Sequence, residues 1–144
     1  MTLTTADKFE IHELLARYGH AIDSGKGDEL AATFTPDGEF DGPGGTHSGT
    51  EAIRTMGIEY HAHPDINNTQ HWINSIVVTG DGDRAKAVSY AMCTSPTVDG
   101  EAIRIELINK YEDEIHRVNG AWLIHRRVVV DVFPDSINDF SLES

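Results

Sequence analysis

The second half of this chain is punctuated at short intervals by hairpin chemistry, and that rhythm restricts its fold more than any other feature. Four β-rich stretches, Thr69–Thr79, Ala85–Pro96, Ala102–His116 and Ala121–Phe133, alternate with turn-forming segments. These are Gly80-Asp81-Gly82-Asp83, Val98-Asp99-Gly100 and Arg117-Val118-Asn119-Gly120, with Asn119-Gly120 the strongest hairpin signal of the three. The second half therefore reads as an antiparallel meander.

The first half has a different period. Between Thr5 and Ile22, Phe9, Leu14, Leu15, Tyr18 and Ile22 recur at helical spacing, which predicts one buried stripe. Thr4 or Thr5 supplies the N-cap, with Asp7 and Lys8 in the first turn. Ser24-Gly25-Lys26-Gly27 breaks this helix just after Asp23. Asp28 is expected to cap a short second helix, Glu29 to Phe34, ended by Pro36-Asp37-Gly38. Glu39-Phe40-Asp41 reads as a short strand and Gly42-Pro43-Gly44-Gly45 as a turn. Thr50 is expected to cap a third helix that fades near Tyr60. Helices followed by a meander make an α+β fold, a curved sheet with three helices on one face. On the second β stretch, Ala85/Ala87/Ser89/Ala91/Cys93 and Lys86/Val88/Tyr90/Met92 each make a coherent face, and the sequence leaves open which turns inward.

The 144 residues predict one domain, 1–144, burying roughly 70% of its unfolded surface, with a polar tail 134–144 expected to be partly mobile. Apolar residues, 39% of the chain, are dispersed, and no run is long enough to span a bilayer. The N-terminal residues lack the features of a secretory signal, and the single cysteine, Cys93, fits a reducing cytoplasm. A net charge of −13 argues against nucleic acid or an anionic membrane as partner. A small molecule or another protein remains.

Two isolated polar residues carry the chemistry. Asp23 closes the first helix, where a negative charge opposes the macrodipole, and His71 opens an otherwise apolar strand. A carboxylate that reaches one imidazole nitrogen fixes its tautomer and leaves the other as a general base. Taken singly, Asp23 is also an ordinary turn aspartate and His71 an ordinary core histidine. Tyr18 belongs to the apolar stripe, about 140° from Asp23 on an ideal helix, so the two share a pocket only if Asp23 turns inward at the helix end. His61 and His63 have no partner at metal-ligand spacing, Cys93 has no activating neighbour, and Gly42–Gly45 lacks the lysine of a phosphate loop. Neither a metal nor a cofactor is expected.

At these positions the sequence resembles a family. Tyr18-Gly19-His20-Ala21-Ile22-Asp23, Leu30-Ala31-Ala32-Thr33-Phe34-Thr35-Pro36-Asp37-Gly38, Gly49-Thr50-Glu51-Ala52-Ile53, Thr69-Gln70-His71-Trp72-Ile73-Asn74 and Gly120-Ala121-Trp122-Leu123-Ile124 look like the SnoaL-like branch of the NTF2-like superfamily. The Asp/His placement is similar to that of scytalone dehydratase, bile-acid 7α-dehydratase and hexachlorocyclohexane dehydrochlorinase. The resemblance implies a cone-shaped barrel whose mostly antiparallel sheet holds an apolar pocket beneath the helices, in a homodimer or homotrimer. It implies a catalytic set of His71, Asp23 and Tyr18, with Arg127 from the last strand. Arg126 is adjacent, and a bulge would exchange their faces. Phe40, Met56 and Trp72 are expected as pocket walls. His125 is the candidate for the second histidine of scytalone dehydratase, although no aligned motif fixes it.

The resulting expectation is a cofactor-independent lyase or isomerase acting on a small, apolar, cyclic substrate of polyketide, steroid or terpenoid type. The scaffold also serves as a non-catalytic small-molecule binder and as an accessory subunit resembling the β chain of ring-hydroxylating dioxygenases.

Overall fold

The first helix, α1 (Thr5–Asp23), begins on a cap that the sequence supplies. In the computed structural model, which describes residues 1–66 and 68–132, Thr4 Oγ1 accepts a hydrogen bond from the Asp7 amide at 3.1 Å. The Asp7 carboxylate accepts one in return from the Thr4 amide at 2.8 Å, closing a capping box. These bonds to Thr4 hold the Asp7 carboxyl down at a pKa of about 2. Its other oxygen takes Arg117 at 2.6 Å and the Trp122 indole at 3.2 Å, tying the start of α1 to the last hairpin.

The buried stripe of α1 is Ile11, Leu14, Leu15, Tyr18 and Ile22. Phe9, expected in that stripe, is 68% exposed, because two residues before Ile11 it lies about 200° around the helix.

The second helix is shorter and earlier than the sequence implied. α2 (Gly27–Ala31) starts from Lys26 without a side-chain cap, and Asp28 instead takes Arg54 at 2.6 Å. Phe34 opens strand β1 (Phe34–Gly42), which contains the Pro36-Asp37-Gly38 expected to end a helix. That segment falls where the ladder with the neighbouring strand is interrupted, so the missing proline N–H costs no pairing. β2 (Gly45–Ser48) follows the turn, and Gly49, not Thr50, caps α3 (Thr50–Ala62). α2 and α3 pack closely through Gly27 and Gly57. A Cβ on Gly57 would sit 2.5 Å from Leu30, and one on Gly27 would sit 2.6 Å from the Arg54 carbonyl.

The meander then forms as β3 (Gln70–Asp81), β4 (Arg84–Pro96), β5 (Ile103–Val118) and β6 (Ala121–Asp131). The sheet has the order β2-β1-β6-β5-β4-β3, antiparallel throughout except for the parallel β1–β6 pair. The fold is α+β, as the periodicity indicated. Register shifts interrupt β3 between Asn74 and Val77, β5 at Glu106 and β6 at His125. Each extra residue bends its strand, and together they curve the sheet toward α1.

The open question of β4 parity is resolved by burial. Ala85, Ala87, Ser89, Ala91 and Cys93 face inward, and Lys86, Val88, Tyr90 and Met92 lie on the outer face. Small inward side chains leave room for large ones from α1 and the neighbouring strands. The tail 134–144 lies outside the described residues. Among the described residues, no helix is long and apolar enough to cross a membrane.

Candidate active site

α1 ends at Asp23 because the next residues turn sharply. Ser24 directs both its amide and its hydroxyl to the His20 carbonyl, at 3.1 and 2.7 Å. Gly25 then adopts φ of +66°, with the His61 ring packed so closely that a Cβ would lie 2.5 Å from it. Asp23 is thereby left at the helix end, free to reach β3. Gly19 lets the helix lie directly on that strand, since its vacant Cβ position is 3.7 Å from the His71 carbonyl.

The two candidate residues meet. Asp23 Oδ1 lies 2.6 Å from His71 Nδ1, and Asp23 Oδ2 accepts the His71 backbone amide at 2.9 Å. One carboxylate thus holds both the ring and the backbone of one residue. An ionised carboxylate only accepts, so in the neutral imidazole this contact places the proton on Nδ1 and the lone pair on Nε2. The His71 side chain is 5% exposed and that of Asp23 19%, which shields the pair from screening by water.

Tyr60, on α3, sets its ring against the imidazole at 5.6 Å between centroids, and its hydroxyl lies 3.4 Å from Thr69 Oγ1. Burial pushes its pKa up to about 12, so it stays a neutral hydroxyl able to donate. Cys93 is opposite His71 in the β3–β4 ladder, and burial pushes its thiol up to about 12 as well, leaving it unreactive.

Deeper inside lies Arg127, fully buried. Its Nε and Nη2 donate to the two carboxylate oxygens of Asp113 at 2.7 and 2.8 Å. The guanidinium packs in the angle between the nearly perpendicular rings of Tyr18 and Tyr111, 4.1 Å from each ring centroid. Burial works against the charge on Arg127, but Asp113 outweighs it and the net pKa is raised. Burial likewise raises Tyr18 and drives Tyr111 well up, so both phenols remain protonated. Tyr18 Oη, Ser89 Oγ and Arg127 Nη1 make no hydrogen bond of ordinary geometry among the described residues, and the Tyr18 hydroxyl has Arg127 and Tyr111 as polar neighbours.

The bulge at His125 decides which arginine enters. Trp122 and Ile124 face inward, so a regular strand would bring in Arg126 next; the extra residue turns Arg127 inward instead. Arg126 points outward to Glu39 and Asp41, at 3.2 and 3.4 Å.

The expected pocket walls divide. Phe40 and Met56 pack against the core. Trp72 does not: it is 54% exposed on the outer face and donates to Thr94 at 2.8 Å. Neighbours in a strand face opposite ways, so an inward His71 sends Trp72 outward. His125 is also displaced, because the bulge removes it from the inner face. It stacks on His116 at 4.0 Å and contacts Thr35 and Asp37 at 3.1 and 3.7 Å, around a cleft apart from the dyad. Asp113, Tyr111 and Tyr60 were not singled out in the sequence. Strand parity alone would have grouped Tyr111, Asp113 and Ile115 on one inward face. Among the described residues, no group of three or more His, Cys, Asp or Glu side chains is placed to hold a metal.

With this geometry in place, comparison with known proteins is informative. The family model for the SnoaL-like domain matches residues 4–128. The chain belongs to the SnoaL-like family. Among curated relatives, the uncharacterized protein Rv2910c of Mycobacterium tuberculosis is 30% identical, over 89% of this chain and 87% of that protein. Among solved structures, a cystatin-like-fold protein from Nostoc punctiforme superposes with a TM-score of 0.82 at 26% identity, covering 95% of this chain and 98% of that one. A protein from Catenulispora acidiphila, solved in complex with S-DNPA, gives a TM-score of 0.76 at 29% identity, covering 88% and 94%. SnoaL-like domains include dehydratases and isomerases.

In this SnoaL-like domain both side chains of the Arg127–Asp113 pair are fully buried. Asp113→Ala strands a buried guanidinium and is expected to cost about 3–5 kcal/mol of stability, measured by urea unfolding. A loss below about 1 kcal/mol would show that the pair contributes little.

Proposed function

We propose that this protein is a cofactor-independent lyase or isomerase in which His71 removes a proton from carbon. The observation that carries this reading is the Asp23 carboxylate holding Nδ1 and the backbone amide of His71 together. Asp23 keeps the imidazole in the Nδ1–H tautomer and stabilises the imidazolium that forms once Nε2 has taken the proton. The substrate is small, apolar and cyclic, of polyketide, steroid or terpenoid type. It carries an oxygen function that receives the displaced electron density. Tyr18 and Arg127 supply donors for that oxygen, and their burial in a low-dielectric interior strengthens the interaction. Tyr60 packs its ring against the imidazole and helps to hold it.

We also propose that the protein works as a homodimer through the outer face of the sheet. Trp72, Val77, Tyr90, Ile103, Ile105 and Ile108 are all exposed large apolar residues. The ion pair Lys110–Glu112 on β5 gives this face charges of both signs, which a second copy related by a two-fold axis can match.

Exchange of the α-hydrogens of 2-tetralone in D2O, followed by proton NMR, reads the first proposal. His71→Ala and Asp23→Asn are expected to keep the fold and lose about 10²–10⁴-fold in exchange rate. Equal rates in wild type and His71→Ala would contradict it. Light scattering reads the second: a dimer mass for the wild type and a monomer mass for Ile105→Glu are expected, and a monomeric wild type would refute it.

A further inference from the structure

We propose that the cleft between the β1 segment around Asp37 and the β5–β6 hairpin is a second ligand site, which takes a phosphate group on Arg84, His116 and His125. It lies apart from the dyad and does not depend on the reading of His71 as a base.

The inference begins from how charge is distributed. Asp and Glu outnumber Lys and Arg 24 to 11 in this chain. The cleft, of about 720 Å³, reverses that balance. Arg84, His116, Arg117 and His125 line it with a single carboxylate, Asp37, among the described residues. A second cleft, of about 310 Å³, meets it at Arg84 and His116. Arg84 opens β4, while Cys93, the ladder partner of His71, lies toward the other end of that strand. At about 3.3 Å per residue the cleft is roughly 30 Å along β4 from the dyad.

The other charged groups nearby are already engaged. Arg117 takes Asp7 at 2.6 Å and Asp83 at 3.4 Å. Asp81 pairs with the amino terminus, and Glu114 lies between Lys86 and Arg126 in the ladders on either side. Arg84 is left over. Among the described residues its guanidinium reaches only the Asp83 carbonyl, at 3.5 Å. It faces His116 across the β4–β5 ladder, and His116 stacks on His125 with ring centroids 4.0 Å apart. These three basic groups form a row, and Asp37 pairs with it at the His125 end, at 3.7 Å.

The chemistry of the row selects its ligand. A guanidinium has donors and no acceptor, and an imidazolium donates from both nitrogens. Thr35 occupies His125 Nδ1 at 3.1 Å, which leaves Nε2 as the ring nitrogen for a ligand. A phosphate group brings three acceptor oxygens and matches the guanidinium fork through two parallel bonds. Its charge also offsets the repulsion among Arg84 and two protonated rings. Burial, His125 and Arg84 together hold the His116 pKa below its ordinary value, against the opposing pull of Glu114 and Asp37. An anion on the row favours the protonated rings, so proton uptake and anion uptake are linked. Pro36 and Val118 on the cleft wall offer apolar contact to the group that a phosphate ester carries.

Histidine ring NMR across about pH 5 to 8, at constant ionic strength, tests the site. Inorganic phosphate is expected to raise the titration midpoints of His116 and His125 by about half a unit, a roughly threefold preference for the protonated rings. His12 and His20, exposed on α1, should not respond. Arg84→Gln changes an exposed residue outside the core and should weaken phosphate by about three- to fivefold. Phenyl phosphate binding more tightly than inorganic phosphate supports an ester as the ligand, and equal or weaker binding supports the free anion; both keep the phosphate site. No shift with either probe, equal shifts at His12 and His20, or an undiminished response in Arg84→Gln would each overturn the proposal.

Discussion

A single carboxylate that accepts two N–H donors from one residue organises this protein. Asp23 grips His71 by its ring and by its backbone, at 2.6 and 2.9 Å, and in doing so joins the end of α1 to the start of β3. The helix must stop at residue 23, the chain must turn through Gly25, and Gly19 must let the helix descend onto the strand. Each of these local features has a sequence cause, and all of them serve the same contact. The contact also has a chemical consequence, since it dictates which imidazole nitrogen is free.

A second buried interaction lies on the inner face of the sheet. Arg127, packed against the rings of Tyr18 and Tyr111, and Asp113 place a charged but internally neutral pair on the inner face of the sheet. Such a pair contributes less to net stability than its geometry suggests, because both ions were removed from water. Its value lies in fixed dipoles. In the proposed reaction, the guanidinium edge that Asp113 does not cover is the donor that would meet developing charge on an oxygen.

Much of this was legible in the sequence, for identifiable reasons. The hairpin turns and the period-2 stretches located the four long strands to within about two residues at most ends, because Gly and Asn-Gly signals are local. The short second helix was misplaced because Asp28 looked like a cap, and only the tertiary structure supplies Arg54 to engage it. Phe9 was misassigned because a hydrophobic residue near a stripe is not necessarily in it. Trp72 could have been excluded from the pocket by alternation alone once His71 was taken to face inward. The fate of His125 and of the two arginines was hidden, because a one-residue bulge leaves no local signature and reverses every face beyond it. Asp113 is harder to pick out, because between Glu112 and Glu114 it reads as part of a solvated acidic run until its partner across the ladder, Arg127, is known.

The central claim is that the Asp23 carboxylate leaves His71 with a proton on Nδ1 and a bare Nε2. Long-range nitrogen–proton correlation NMR on uniformly ¹⁵N-labelled protein at neutral pH reads the two ring nitrogens separately. The account predicts a protonated Nδ1 and an unprotonated Nε2 for His71, with that pattern lost in Asp23→Asn. A proton on Nε2 with Nδ1 bare, or an unchanged spectrum in the variant, would contradict it.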